Sequence, residues 1–331
     1  MMLRMSTGLS MLLVVVAVGS IGAARENPWT EPARYAFEYR VDFARLKEMH
    51  AQRLRVWIPY PAETADQKVL SAEIDSPWAY KQTRDDRGNH FLYLEGEGVP
   101  PAALAMRFVV ERKPSGGIPI GAIAPDTPLD PRRYQRGARL IPLAGVIREL
   151  AEQESRGLET DEAKIRAFYD YVVRNMRYNK EGTGWGRGDA VWACANKRGN
   201  CTDFHSLFIG MALSQGIPAR FLIGFPIPMA ADTGEVAGYH CWAEYYDRRR
   251  GWVPVDASEA KKSGKPDAYF GSLPNDRIQF TVGRDLLLEP PQEGEPLNYF
   301  IYPYAEADGK PVKELAATFG FRRLPRTTEP L

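Results

Sequence analysis

The sequence predicts an α+β fold, a small β-sandwich followed by a domain of helices packed on an antiparallel sheet. Three observations carry this. Between Tyr35 and Arg112 apolar residues recur with a period of two. Between Pro114 and Pro131 five prolines and three glycines interrupt the pattern. Beyond them apolar residues recur at helical spacing, and strand signals return from Arg220 onward. The 331 residues leave room for about two domains and bury roughly three quarters of the unfolded surface without a metal or disulfide staple. Lys plus Arg number 43 against 42 Asp plus Glu. With no net field to attract polyanions, nucleic acid is not expected as a partner.

Taken in order, the chain opens on an address. Arg4 is the only charge before Arg25, Leu9 to Val18 is apolar except for Ser10, and the small-residue stretch Gly19 to Ala24 follows. This is the layout of a secretory signal peptide, with cleavage expected after Ala24 and an oxidising, periplasmic or secreted destination. No cysteine follows the apolar run, so no lipid anchor is expected, and no stable membrane insertion is expected after cleavage. Tyr35, Phe37, Tyr39, Val41 and Phe43 then alternate as a first strand, and Leu54 to Pro59 reads as a second. Further strands are expected at Val69–Ile74, His90–Glu95 and Met106–Glu111, with a turn at Asp85-Asp86-Arg87-Gly88-Asn89. Helices follow. One carries Leu143, Val146, Ile147 and Leu150. The next carries Ile165, Phe168, Val172 and Met176, with Thr160 as its start. Late strands are expected at Ile278–Val282 and Asn298–Tyr302. The resulting map is 1–24 signal peptide, 25–116 β-sandwich, 117–138 linker, 139–311 a second domain of helices and strands, and 312–331 C-terminal tail.

The densest stretch is Gly199-Asn200-Cys201-Thr202-Asp203-Phe204-His205. Phe204, Leu207, Phe208 and Met211 form a helical face behind it, and Gly216 stands where a helix terminates. Asn200 is a good N-cap, which puts Cys201 in the first turn. There the unpaired N–H groups and the helix dipole stabilise a thiolate. Downstream, Tyr239 to Tyr246 reads as a strand and Trp252 to Asp256 as its hairpin partner. Pairing Tyr246 with Trp252 sets Glu244 opposite Pro254 and brings His240 within a diagonal step of Asp256. Pro254 cannot donate a ladder hydrogen bond, so its strand has an edge or a break there. A first-turn cysteine near an imidazole oriented by a carboxylate is a triad in outline.

These residues resemble the transglutaminase-like superfamily, whose core is papain-like. The resemblance rests on four strings in the family's order: Gly199–His205, Gly216-Ile217-Pro218-Ala219-Arg220, Tyr239–Glu244 and Gly251–Asp256. It is strong over roughly 160–285. It implies a nucleophile at Cys201, a general base and acid at His240, and an orienting Asp256. The implied activity is acyl transfer from a peptide or other amide through a thioester. Water as acceptor gives hydrolysis in a site open to solvent. An amine acceptor gives a protein-glutamine γ-glutamyltransferase instead. A third reading keeps the fold as a non-catalytic binding or assembly module.

The backbone N–H of Cys201 is the first oxyanion donor to consider. No glutamine stands between Gln153 and Cys201, so Trp192 ranks first as a second donor, ahead of Trp185 and Asn196. Asn200 and Asp203 support the site from the helix start. A Cys194–Cys241 disulfide is expected in an oxidising compartment, leaving Cys201 free. His205, one turn after Cys201, reads as a hydrogen-bonded core histidine rather than a metal ligand, and neither a metal nor an organic cofactor is implied. The N-terminal β-region is a candidate surface for a protein or a wall polymer.

Overall fold

The computed structural model describes residues 27–47, 49–98 and 103–325. The expected signal peptide lies outside them. The chain first forms β1 (Ala33–Asp42), a single turn α1 (Ala44–Lys47), β2 (Leu54–Pro59), β3 (Gln67–Asp75), β4 (Tyr80–Arg84), β5 (His90–Gly96) and β6 (Leu104–Arg112). Helices α2 (Val146–Glu154) and α3 (Asp161–Asn175) precede β7 (Arg177–Tyr178), α4 (Ala190–Asn196), β8 (Arg198–Gly199) and α5 (Cys201–Ser214). The chain continues through β9 (Ala219–Pro226), β10 (Thr233–Glu235), β11 (His240–Asp247), β12 (Gly251–Val255), α6 (Ala257–Ser263) and β13 (Arg277–Val282). It ends in β14 (Tyr304–Ala307), β15 (Lys310–Pro311) and β16 (Ala316–Leu324).

Local signals explain most of these elements. The Thr160 side chain accepts the Ala163 N–H at 3.2 Å and starts α3. Asp85 accepts the N–H groups of Arg87 and Asn89 and closes the β4–β5 hairpin around Gly88, which sits at φ 81°. Alternation in β1 turns Tyr35, Phe37, Tyr39 and Val41 inward.

Three larger sheets result. The central one, in the order β12-β11-β9-β13, carries the site. A five-stranded sheet, β10-β16-β1-β6-β3, packs on it. Phe37 stands 5.3 Å from Phe225 and 5.9 Å from Phe280, and Phe225 is 4.2 Å from Phe319, ring centre to ring centre. The third sheet, β15-β14-β2-β5-β4, has a satellite core of Trp57, Phe91, Tyr93 and Phe300.

Three expectations are corrected. The segment taken as a C-terminal tail contains β16, which pairs along the whole of β1 from Arg34↔Leu324 to Asp42↔Ala316. Its Phe319 and Phe321 are buried, and burial of that alternate face holds the strand inside the sheet. The expected 117–138 linker is anchored to the other region: Ile118 and Trp252 exchange backbone hydrogen bonds of 2.8 and 2.9 Å, and the Trp252 indole donates to the Leu129 carbonyl at 2.7 Å. This contact covers the edge of β12 beside Pro254. Lastly, Asn298–Tyr302 is not a strand. Its polar groups turn aside to residues 186–188: the Asn298 amide donates to the Arg187 carbonyl at 2.7 Å and the Tyr299 hydroxyl to the Gly186 carbonyl at 3.3 Å.

Candidate active site

Helix α5 begins where the sequence places it. The Asn200 side chain accepts the Thr202 N–H at 2.9 Å, and the Asp203 carboxylate accepts the Asn200 N–H at 2.9 Å, closing a capping box. Cys201 is therefore the first residue of the helix. Its N–H precedes any intrahelical acceptor and lies at the positive end of the dipole. Asp203 does more than cap. It also accepts the N–H groups of Gly186 at 2.7 Å and Gly188 at 3.0 Å, fastening that loop against the helix start. The approach is close enough that a Cβ on Gly199, at φ 146°, would stand 2.2 Å from an Asp203 oxygen.

The hairpin has the expected register, Tyr246↔Trp252 and Glu244↔Pro254, and β12 is the outer strand of its sheet. It leaves His240 at the start of β11 and Asp256 just beyond β12. His240 Nε2 lies 2.6 Å from Asp256 Oδ2, so Nδ1 is the ring nitrogen left for sulfur. The imidazole of His240 and the thiol of Cys241 both engage the Cys201 sulfur. Cys201, His240 and Asp256 are thus brought together, and all three are buried; Cys201 is only 2% exposed. The sulfur is thus more enclosed than the open site expected from sequence.

Charge follows this geometry. Burial disfavours a thiolate at Cys201, but hydrogen bonds from Cys241 and His240, together with the charge on His240, hold the thiol well below its ordinary value. Burial likewise opposes an imidazolium at His240. Asp256 and Cys201 outweigh it and push His240 up to about 10. Both shifts favour the thiolate–imidazolium form of the pair. Asp256 is buried too, yet the positive charges of His240 and Arg277 keep it well below the usual carboxylate range.

Asp256 is fully engaged. Oδ1 accepts the Ser258 hydroxyl at 3.0 Å and the Glu259 N–H at 2.9 Å, making Asp256 the N-cap of α6. Oδ2 accepts Arg277 Nη1 at 2.8 Å besides His240. Sequence reasoning missed Arg277, a buried guanidinium that also lies over the Trp242 ring at 5.4 Å. Its only sequence signal is a lone arginine opening an apolar strand.

His205 is a core histidine. Its Nε2 accepts the Ala257 N–H at 3.1 Å, which leaves Nδ1 to donate to the Cys201 carbonyl at 2.8 Å. Burial lowers its pKa, in keeping with a neutral ring. Among the described residues no cluster of His, Cys, Asp and Glu has the arrangement to hold a metal ion.

The expected disulfide is corrected. All three cysteines are free. Strand alternation turns Cys241 toward α5, where its sulfur lies 3.8 Å from Thr202 Oγ1 and 3.7 Å from His205 Nδ1. Cys194 belongs to α4, a helix not anticipated from sequence, and its sulfur lies 3.9 Å from Lys197 Nζ. Trp192 is also placed away from the expected role. Its indole packs over Arg198 at 5.5 Å and against Gly184, and nothing among the described residues joins it to Cys201. The Asn200 amide donates instead to the Tyr239 hydroxyl at 3.0 Å, which also bonds Thr202 Oγ1 at 2.9 Å.

A helix presenting cysteine to a sheet that presents histidine, with an aspartate behind it, defines a papain-like α+β core. Residues 148–257 match the model of the transglutaminase-like superfamily. Over 346 residues it is 27% identical to an uncharacterised protein of Haemophilus influenzae, covering 90% of this chain and 93% of that one. A crystal structure from Cytophaga hutchinsonii, assigned provisionally as a cysteine protease, shares the fold with a TM-score of 0.61 at 14% identity. That overlay covers 91% of this chain and 94% of the other. The periplasmic domain of TgpA from Pseudomonas aeruginosa overlays more loosely, with a TM-score of 0.37 at 17% identity over 71% of this chain and 93% of that one. Among the described residues no helix is long and apolar enough to cross a membrane.

Proposed function

We propose that the chain is an extracytoplasmic thiol-dependent enzyme that cleaves a peptide or other amide bond. The observation that carries this is the continuous chain from the Cys201 sulfur through His240 to Asp256, in which the last contact is 2.6 Å. The Cys201 thiolate adds to the carbonyl carbon, and the Cys201 N–H stabilises the oxyanion. Collapse breaks the C–N bond as the His240 imidazolium gives its proton to the leaving amine, and a thioester remains. His240 then takes a proton from water, the hydroxyl adds to the thioester, and the carboxylic acid leaves as the thiolate returns. Asp256 holds the ring and its charge throughout. The signal-peptide pattern of residues 1–24 supports the location.

The test is incubation of the chain without residues 1–24 with a mixed peptide library and a fluorescent primary amine. New peptide amines, absent with Cys201→Ala and unaccompanied by amine incorporation, are the expected result. Amine incorporation without cleavage would replace hydrolysis with acyl transfer to amines. Neither product, from a protein whose Cys201 is free, would remove the catalytic reading.

A further inference from the structure

Away from Cys201 lies a cavity of about 620 Å³ among the residues before α2, the β4–β5 turn and the far end of α5. It is within the size range of small-ligand sites. Ile209 and Leu213 form part of its floor, and Ile209 is eight residues along α5 from Cys201, about 12 Å at the helical rise. The cavity is therefore distinct from the thiol site.

Its lining is strongly basic: Arg87, Arg132, Arg133, Arg136, Arg220 and Arg284 face only three aspartates. Each aspartate is already committed. Asp126 and Asp130 bond Arg132 at 3.0 and 2.5 Å, and Asp86 bonds Arg133 at 3.1 Å. Arg220 is paired with Glu244 at 2.5 Å. Neither Arg87 nor Arg136 forms a salt bridge among the described residues, and Asp85 meets Arg87 only through its longer-range charge. Arg284 is buried, and every acceptor it holds is neutral: Asn298 at 2.8 Å, Ser206 at 2.6 Å and the Arg187 and Gly188 carbonyls, each at 3.1 Å. The neighbouring Asp285 turns instead to Arg139, whose backbone N–H it accepts at 2.6 Å. A buried cation with no carboxylate in direct contact is costly. Asp285 and Asp203 act on Arg284 only from a distance, and it stands at the wall of an open cavity whose rim offers two further guanidinium groups outside any salt bridge.

We infer that this cavity binds a small polyvalent anion, phosphoryl- or polycarboxylate-bearing, held by Arg87 and Arg136 over the charge of Arg284. Guanidinium forks suit such ligands because they offer paired N–H donors to paired oxygens. This inference does not depend on the proposed chemistry at Cys201.

Calorimetric titration of the chain without residues 1–24, at low ionic strength, tests it with inorganic phosphate, pyrophosphate and citrate in turn. Arg87→Gln and Arg136→Gln keep most of each side-chain stem, and Arg248→Gln, on an exposed loop, is the control. The expected result is saturable one-to-one binding of at least one probe, weakened at least tenfold in each cavity variant and unchanged in the control. Binding by phosphate or pyrophosphate alone assigns a phosphoryl ligand, and binding by citrate alone assigns a polycarboxylate. No saturable binding by any probe, or equal affinity in all four proteins, overturns the inference.

Discussion

At the scale of single residues, the site is held by side chains that serve two structures at once. Asp203 caps α5 and also bonds the loop at Gly186 and Gly188. Asp256 caps α6 and also bonds His240 and Arg277. Each fastens a catalytic-site group to a rigid helix end, which fixes geometry better than a loop contact would. Arg277 neutralises part of the buried carboxylate that His240 needs. Replacing it, as in Arg277→Met, leaves Asp256 short of one buried positive partner, and the expected loss is about 3–5 kcal/mol of stability. Urea unfolding at neutral pH measures it. A loss below about 1 kcal/mol, the range of an exposed ion pair, would contradict the role given to Arg277.

At the scale of elements, the helix start and the hairpin were legible in the sequence because their signals are local. Asn200, Asp203 and Gly216 mark the ends of α5 within a few residues of its body. The register of β11 with β12 follows from a short charged turn between two aromatic strands. What could not be read depends on distant partners. Strand β16 looks like a tail because its pairing residues on β1 lie at the other end of the chain. The run Asn298–Tyr302 has strand-like composition, but its Asn298 and Tyr299 side chains bond a loop more than a hundred residues earlier. The pairing expected of Cys241 with Cys194 fails for the same reason: the Cys241 sulfur lies under α5 beside Thr202 and His205, contacts that no local pattern reveals. Since β16 lies between β10 and β1, a chain ending at residue 311 loses an interior strand with buried Phe319 and Phe321. Such a truncation is expected to be insoluble or to lose cooperative thermal unfolding. A soluble product with an unchanged melting temperature would mean that the strand contributes little.

At the scale of the whole molecule, the two regions read from sequence share one continuous core. Aromatic rings of β1 and β16 pack on β9 and β13, and the segment between the regions lies along the edge of β12. The sheet that carries His240 is thereby covered on one face by α5 and on the other by β-structure from both ends of the chain. That enclosure buries the side chains of the site, and in low dielectric the imidazole, the sulfur and the carboxylate behind them act more strongly on one another.

The most direct test of this account is the pH dependence of Cys201 alkylation by iodoacetamide in the unreduced chain lacking residues 1–24, read by peptide mass spectrometry. With the thiol held low and His240 raised to about 10, Cys201 is expected to label well below the ordinary thiol value of ~8.5. His240→Ala removes the positive charge and leaves burial to raise the thiol, so labelling at mildly acidic pH should fall at least tenfold. Cys194 and Cys241 should label only after unfolding, each as a free thiol. Labelling of Cys201 that appears only near its ordinary value and is indifferent to His240 would contradict the ion pair on which the proposed chemistry rests.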